Sequence, residues 1–201
     1  MGAIDAKLLA KFDTCERPEY PERAMKASED GISLLGFLVG GDGAVVDAVV
    51  LNSSGSRHLD RAATLALSKC AFQRPGDIDK AANLWVSVTY IWGCTDDPGM
   101  LRAMRAAAVA GGRGNVSARY HLSLLLFSTA KTDADRGKAL IVLRSAAELG
   151  HAHAQFDLGR RHEIGDGVEA NLDEALRWYR KSAEQGDPLA KQRLTLGMLL
   201  S

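Results

Sequence analysis

The chain has 201 residues, enough for one large domain or two small ones. Its 25 basic and 25 acidic residues give a formal net charge of +0, which argues against a nucleic-acid binder held by a concentrated basic surface. Hydrophobic residues at 46% and charged residues at 25% exclude a disordered or collagen-like chain. The longest uncharged run, Ala81–Thr95, has 15 residues and includes Asn83, Ser87 and Thr89, too short and too polar to span a bilayer.

Met1 to Phe12 lacks the basic start, long apolar centre and cleavage site of a secretory signal. Ala6 stands where a myristoylation pattern needs Ser or Thr. At face value such a start fits a cytosolic chain. The alternative is that a signal or anchor belongs ahead of Met1. Residues 1–14 read as an N-terminal extension.

Of the three cysteines, Cys15, Cys70 and Cys94, none forms a CxxC pair, so a thiolate metal site is not expected. One reading makes them small buried hydrophobes. The other joins Cys15 to Cys70 and leaves Cys94 over. That bridge would close a 55-residue loop, contribute about 4 kcal/mol and require an oxidising compartment.

Tyr20-Pro21 fits a helix entry, with a short helix over Pro21–Ser28. Gly31–Val39 is an apolar run of strand length, and Gly40-Gly41-Asp42-Gly43 supplies hairpin turn chemistry. The valines of Ala44–Leu51 read as the return strand. After Ser53-Ser54-Gly55 the period changes: Leu59, Ala62, Ala63, Ala66, Leu67 and Cys70 share one helical face. Asn83–Trp92 alternates again, with Leu84, Val86, Val88, Tyr90 and Trp92 on one side. Two helices and three strands predict a two-layer α+β sandwich with a three-stranded antiparallel sheet over about residues 15–95.

Tyr20-Pro21 with Ala24, Gly31, Asp42-Gly43, Val45–Val49, Ser53-Ser54-Gly55, Leu59-Asp60, Ala62-Ala63 and Phe72 with Pro75 resemble, as an ordered set, the C-terminal domain of TonB-type energy transducers. That resemblance covers roughly Cys15 to Trp92. It implies a periplasmic setting and a partner peptide added as a strand at the sheet edge, with Leu84–Trp92 the candidate edge and Leu84, Val86, Val88 and Tyr90 its contact residues. The membrane helix and proline-rich spacer of such transducers are not found in this sequence, which holds only five prolines.

From about residue 98 to 201 the chain repeats every 36 residues. Ala118, Ala154 and Ala190 keep that offset, as do Leu122, Leu158 and Leu194, Ala139 and Ala175, and Gly114, Gly150 and Gly186. Each unit reads as a helix pair whose second helix stops at the glycine. The order expected is a lone helix near Pro98–Gly111, two full pairs and a last helix from about Leu189. Together the halves predict α+β followed by all-α, a sandwich and then a short helical solenoid. Ala154, Leu158-Gly159, Gly165, Gly167-Val168, Glu174-Ala175, Trp178, Lys181, Ala183 and Gly186 resemble the Sel-one-like repeat, a relative of the tetratricopeptide repeat. Thr129, Lys131 and Thr132 replace Gly165, Gly167 and Val168 in the first unit, which predicts a differently built turn. Side chains on the first helix of each pair, Arg119, Ser123, Gln155 and Arg160, are the expected solenoid contacts.

No catalytic, cofactor-binding or metal-binding residues are assigned. His151 and His153, which with His162 could suggest a metal site, do not fall on ligand positions of the resembled repeat. Ser53, His58 and Asp60 are too local for a triad, whose members are brought together by the fold. Asp166-Gly167 lacks the alternating acids of a calcium loop. The expectation is a non-enzymatic envelope adaptor with a protein partner, no nucleic acid and no small-molecule substrate. An immunity or inhibitor protein that neutralises a secreted toxin or hydrolase is the alternative.

Overall fold

The computed structural model describes residues 15–73, 82–93 and 97–197. Cys94 and the extension 1–14 lie outside the described residues. The chain divides into two compact units, Met1–Asp96 and Asp97–Ser201.

The first unit runs α1 (Glu22–Lys26), β1 (Gly31–Val39), β2 (Val45–Asn52), α2 (Arg57–Leu67) and β3 (Leu84–Trp92). Pro21 precedes α1, and the helix is shorter than expected because Ser28 turns to a φ of 49°. All strand pairs are antiparallel, in the order β2-β1-β3. Gly43, at φ 86°, is required in the hairpin turn: a Cβ there would stand 2.4 Å from the Phe72 carbonyl oxygen. Phe72 N–H in turn donates to the Gly43 carbonyl at 2.8 Å. Ser56 caps α2 by accepting from the amides of His58 and Leu59. Helices and strands then meet over one apolar core: Ala24, Leu59, Ala63 and Leu67 against Leu35, Phe37, Val39, Val86, Val88 and Trp92. Each large side chain buried there contributes about 1.5–3 kcal/mol.

Among the described residues the second unit has six helices: α3 (Asp97–Gly112), α4 (Val116–Thr129), α5 (Asp133–Glu148), α6 (Ala152–Ile164), α7 (Leu172–Glu184) and α8 (Pro188–Gly197). Gly114, Gly150 and Gly186 take φ values of 93°, 94° and 98° after α3, α5 and α7, so left-handed glycines end those helices as expected. Just after each glycine comes a capping residue, again 36 apart. Asn115, His151 and Asp187 accept from the amides of Ala118, Ala154 and Ala190. The two turns inside the pairs do differ. Residues 130–132 suffice in the first pair, whereas 165–171 are needed in the second, where Gly165 takes φ 73°. Gly159 marks the tightest crossing: a Cβ would lie 2.9 Å from the Tyr179 ring on α7.

Candidate binding surfaces

The sheet has two outer strands, and they differ in regularity. β3 pairs with β1 in unbroken register, from Gly31↔Trp92 to Val39↔Leu84. β2 slips twice, skipping Leu51 between Leu34↔Asn52 and Leu35↔Val50, and Val46 between Leu38↔Asp47 and Val39↔Val45. Bulges twist an edge and interrupt its row of outward amides, so they weaken it as a template for another strand. Among the described residues β3 has a strand partner on one side only. Its far side is the better template.

The side chains expected to serve that edge are placed otherwise. Leu84, Val86 and Val88 are only 3–4% exposed, and Val86 and Val88 pack in the core. Tyr90 is half-buried and donates from its hydroxyl to the Pro18 carbonyl at 3.4 Å; burial raises its pKa, against the opposing charge of Arg17. The apolar face of the strand is thus the face turned to the helices. An added strand would meet the β3 backbone and the half-exposed face of Ser87, Thr89 and Ile91.

Cys15 and Cys70 are bridged, with Cα atoms 4.9 Å apart, so the disulfide reading of the cysteines holds. The bridge ties the arm 15–20 to the end of α2. Lys69 pairs with Glu16 at 3.0 Å beside it. Tyr20 donates to the Glu29 carbonyl and meets Trp92 edge-on at 5.5 Å. The arm therefore lies along the core side of β3, beneath its last residues.

The serine-rich turn is organised by Asp60 rather than poised for attack. Its buried carboxylate accepts from the hydroxyls of Ser33 and Ser53 and from the amide of Ser54, at 2.7, 2.5 and 2.9 Å. Trp92 Nε1 donates to Ser33 Oγ at 3.0 Å. These bonds satisfy a buried charge and fix the entry to α2. His58 contributes its backbone amide to the Ser56 cap.

Three of the four expected solenoid contacts are internal fasteners. Arg119, half-buried, donates to the Gly111 carbonyl on α3 and to Ser145 Oγ on α5, both at 2.7 Å. Its counterpart Gln155 is buried, donates to the Ala147 carbonyl at 3.0 Å and accepts from Gln185 at 2.7 Å. The same position in two successive repeats thus brackets the helix before it. Ser123 is fully buried, its hydroxyl donating to the Tyr120 carbonyl. Arg160 is half-buried on α6. Beside it, Arg161 pairs with Asp166 at 2.6 Å and lies 3.8 Å from the Phe127 ring centroid; burial lowers its pKa.

A buried polar cluster joins the repeats. His153 Nδ1 lies 2.8 Å from Asp187 Oδ2 in a pair shielded from solvent. Tyr120 donates to Asp157 at 2.7 Å and stacks on His151 at 4.6 Å. Burial and then the Asp157 carboxylate push the Tyr120 pKa well above the ordinary value. Burial, with His153 and His121 nearby, brings His151 down to about 4, so it is neutral and able to accept at its cap. Burial opposes the charge on Asp187, yet the His153 hydrogen bond and the amides of Ala190 and Leu189 hold its carboxyl below the usual range. Among the described residues no cluster of three or more His, Cys, Asp or Glu is arranged to hold a metal.

The comparisons agree with this division. Residues 16–93 match the family of the Gram-negative bacterial TonB protein C-terminal domain, and residues 116–151 and 152–187 each match the Sel1 repeat. The chain carries a TonB C-terminal domain followed by Sel1 repeats, two families of non-catalytic domains associated with protein–protein interaction. It is 35% identical over 102 residues to DAP3-binding cell death enhancer 1 of Rattus norvegicus, covering 51% of this chain and 20% of that protein. Against protein tonB2 of Pseudomonas aeruginosa it is 39% identical over 71 residues, 35% of this chain and 26% of the other. A solution structure of the Pseudomonas aeruginosa TonB C-terminal domain is similar at 23% identity and a TM-score of 0.37, over 46% of this chain and 91% of that one. Thus the chain spans about a fifth to a quarter of these curated relatives.

Proposed function

We propose that this chain is a non-enzymatic adaptor of the Gram-negative cell envelope that takes an extended partner segment as a fourth strand on β3. The observation that carries this reading is the unbroken register of β3 beside the twice-bulged β2. Strand addition draws affinity from main-chain hydrogen bonds and selectivity from alternate side chains. A backbone template is therefore compatible with Leu84, Val86 and Val88 being buried. The TonB relationship and the Cys15–Cys70 bridge both support a periplasmic location, since disulfides persist in oxidising compartments. Among the described residues no helix is long and apolar enough to cross a membrane.

The full chain, used as bait on envelope and secreted fractions of its native host, tests this. The expected catch is an envelope protein whose extended segment, made as a peptide, competes for the bait. Capture of one secreted hydrolase at equal stoichiometry, with loss of its activity, would replace the adaptor by an inhibitor.

A further inference from the structure

The outer face of α3 departs from its counterparts. Helix α3 carries Asp97 at its start against Arg102 and Arg105, and from Pro98 to Thr132 the chain adds Arg113, Arg119 and Lys131 with no acidic residue. The equivalent helices are balanced. In α5, Asp133, Asp135 and Glu148 offset Arg136, Lys138 and Arg144; in α7, Asp173, Glu174 and Glu184 offset Arg177, Arg180 and Lys181. Both balanced helices form ion pairs of their own, Lys138–Asp135 and Arg177–Glu174. Arg102, Arg105 and Arg113 are exposed and have no ion-pair partner among the described residues. Apolar side chains lie among them: Leu101 is 49% exposed and Val109 54%. Positions 102, 105, 109 and 113 follow i, i+3, i+7 and i+11 spacing, one face of the helix and the turn after it. The opposite side is used internally, where buried Gly111 lets α4 approach at Arg119.

We propose that this face, Leu101, Arg102, Arg105, Val109 and Arg113, docks an acidic amphipathic helix of a partner protein. Guanidinium groups are suited to paired recognition of carboxylates. Leu101 and Val109, about half exposed, offer apolar contact to leucine-like anchors, as in recognition of a helix through anchors three and four residues apart. Two apolar residues are a small insertion face for a membrane-surface helix. The neutral whole-chain charge argues against nucleic acid. Its residues are not those of β3, so this proposal stands or falls apart from strand addition.

The test is fluorescence anisotropy of the full chain with a labelled amphipathic peptide as long as α3, 16 residues, whose one face combines leucine and glutamate. Saturable one-to-one binding is expected. R102E/R105E should weaken it about tenfold, while K138E/R144E, the same charge change on α5, should alter it less than about twofold. L101S/V109S should also weaken binding, by about threefold with charge unchanged. Far-UV circular dichroism confirms that each variant is folded, and R102Q/R105Q replaces the reversal if it is not. The proposal is overturned if R102E/R105E binds like wild type, or if polyglutamate lacking leucine binds equally well. Stronger binding to vesicles of equal parts phosphatidylcholine and phosphatidylglycerol, or to duplex RNA, would overturn it as well.

Discussion

The two units reach stability by different routes. In the first, β1 lies between its hairpin partner β2 and the sequence-distant β3, one apolar core serves every element, and a disulfide spans 55 residues. The second repeats a local solution: a left-handed glycine, a capping side chain one residue on, and a bracket from each repeat to the helix before it. Damage in the first should spread through its whole core. Damage in the second should weaken neighbouring repeats. Trp85 and Trp92 report on the first unit and Trp178 on the second, so fluorescence with circular dichroism can follow both.

The sharpest contrast should come from reduction. Opening Cys15–Cys70, or replacing both residues by serine, should cost the first unit about 4 kcal/mol and leave the second unit's denaturant midpoint unchanged. Equal losses in both units would erase the comparison.

Acid should act in the opposite sense. His151 folds with its pKa near 4 against about 6.5 unfolded, so the unfolded chain binds more protons between these values. The stability it contributes is complete above about pH 6.5 and falls as pH drops toward 4, by about 3 kcal/mol in all. Asp187, held below the usual carboxylate range, extends the loss to lower pH. Urea titrations across this range should show the helical unit weakening, and H151N, which retains a capping oxygen without the titration, should flatten the upper part of the profile.

Smaller effects test the repeat geometry. Gly159→Ala places a methyl 2.9 Å from the Tyr179 ring and should cost about 1–3 kcal/mol. Gln155→Ala leaves the Ala147 carbonyl and the Gln185 amide without that partner, for about 1–2 kcal/mol. Binding through β3 should be unaffected by either, as measured by the affinity of the captured partner.

The repeat and the strands were legible because they are periodic. Glycines 36 apart, alternation in Leu84–Trp92 and the helical stripe from Leu59 to Leu67 each reflect a local rule; Cys70, expected on that stripe, falls beyond the end of α2 at Leu67. The destinations of polar side chains were not. Alternation assigns Leu84, Val86 and Val88 to one face without saying that this face is buried. Helix position alone places Arg119 and Gln155 at a surface, because the carbonyls they reach belong to the preceding helix. One signal was present: Asn115, His151 and Asp187 also stand 36 apart, just after the glycines, where a helix needs a cap.

Under the proposed function, β3 recognises its partner through its backbone. Hydrogen–deuterium exchange of the full chain, with and without the captured partner, tests it most directly. New protection is expected on alternate amides within Leu84–Trp92, with little change in β2. Protection confined to the helical repeats, with β3 exchanging as in the unbound chain, would contradict it.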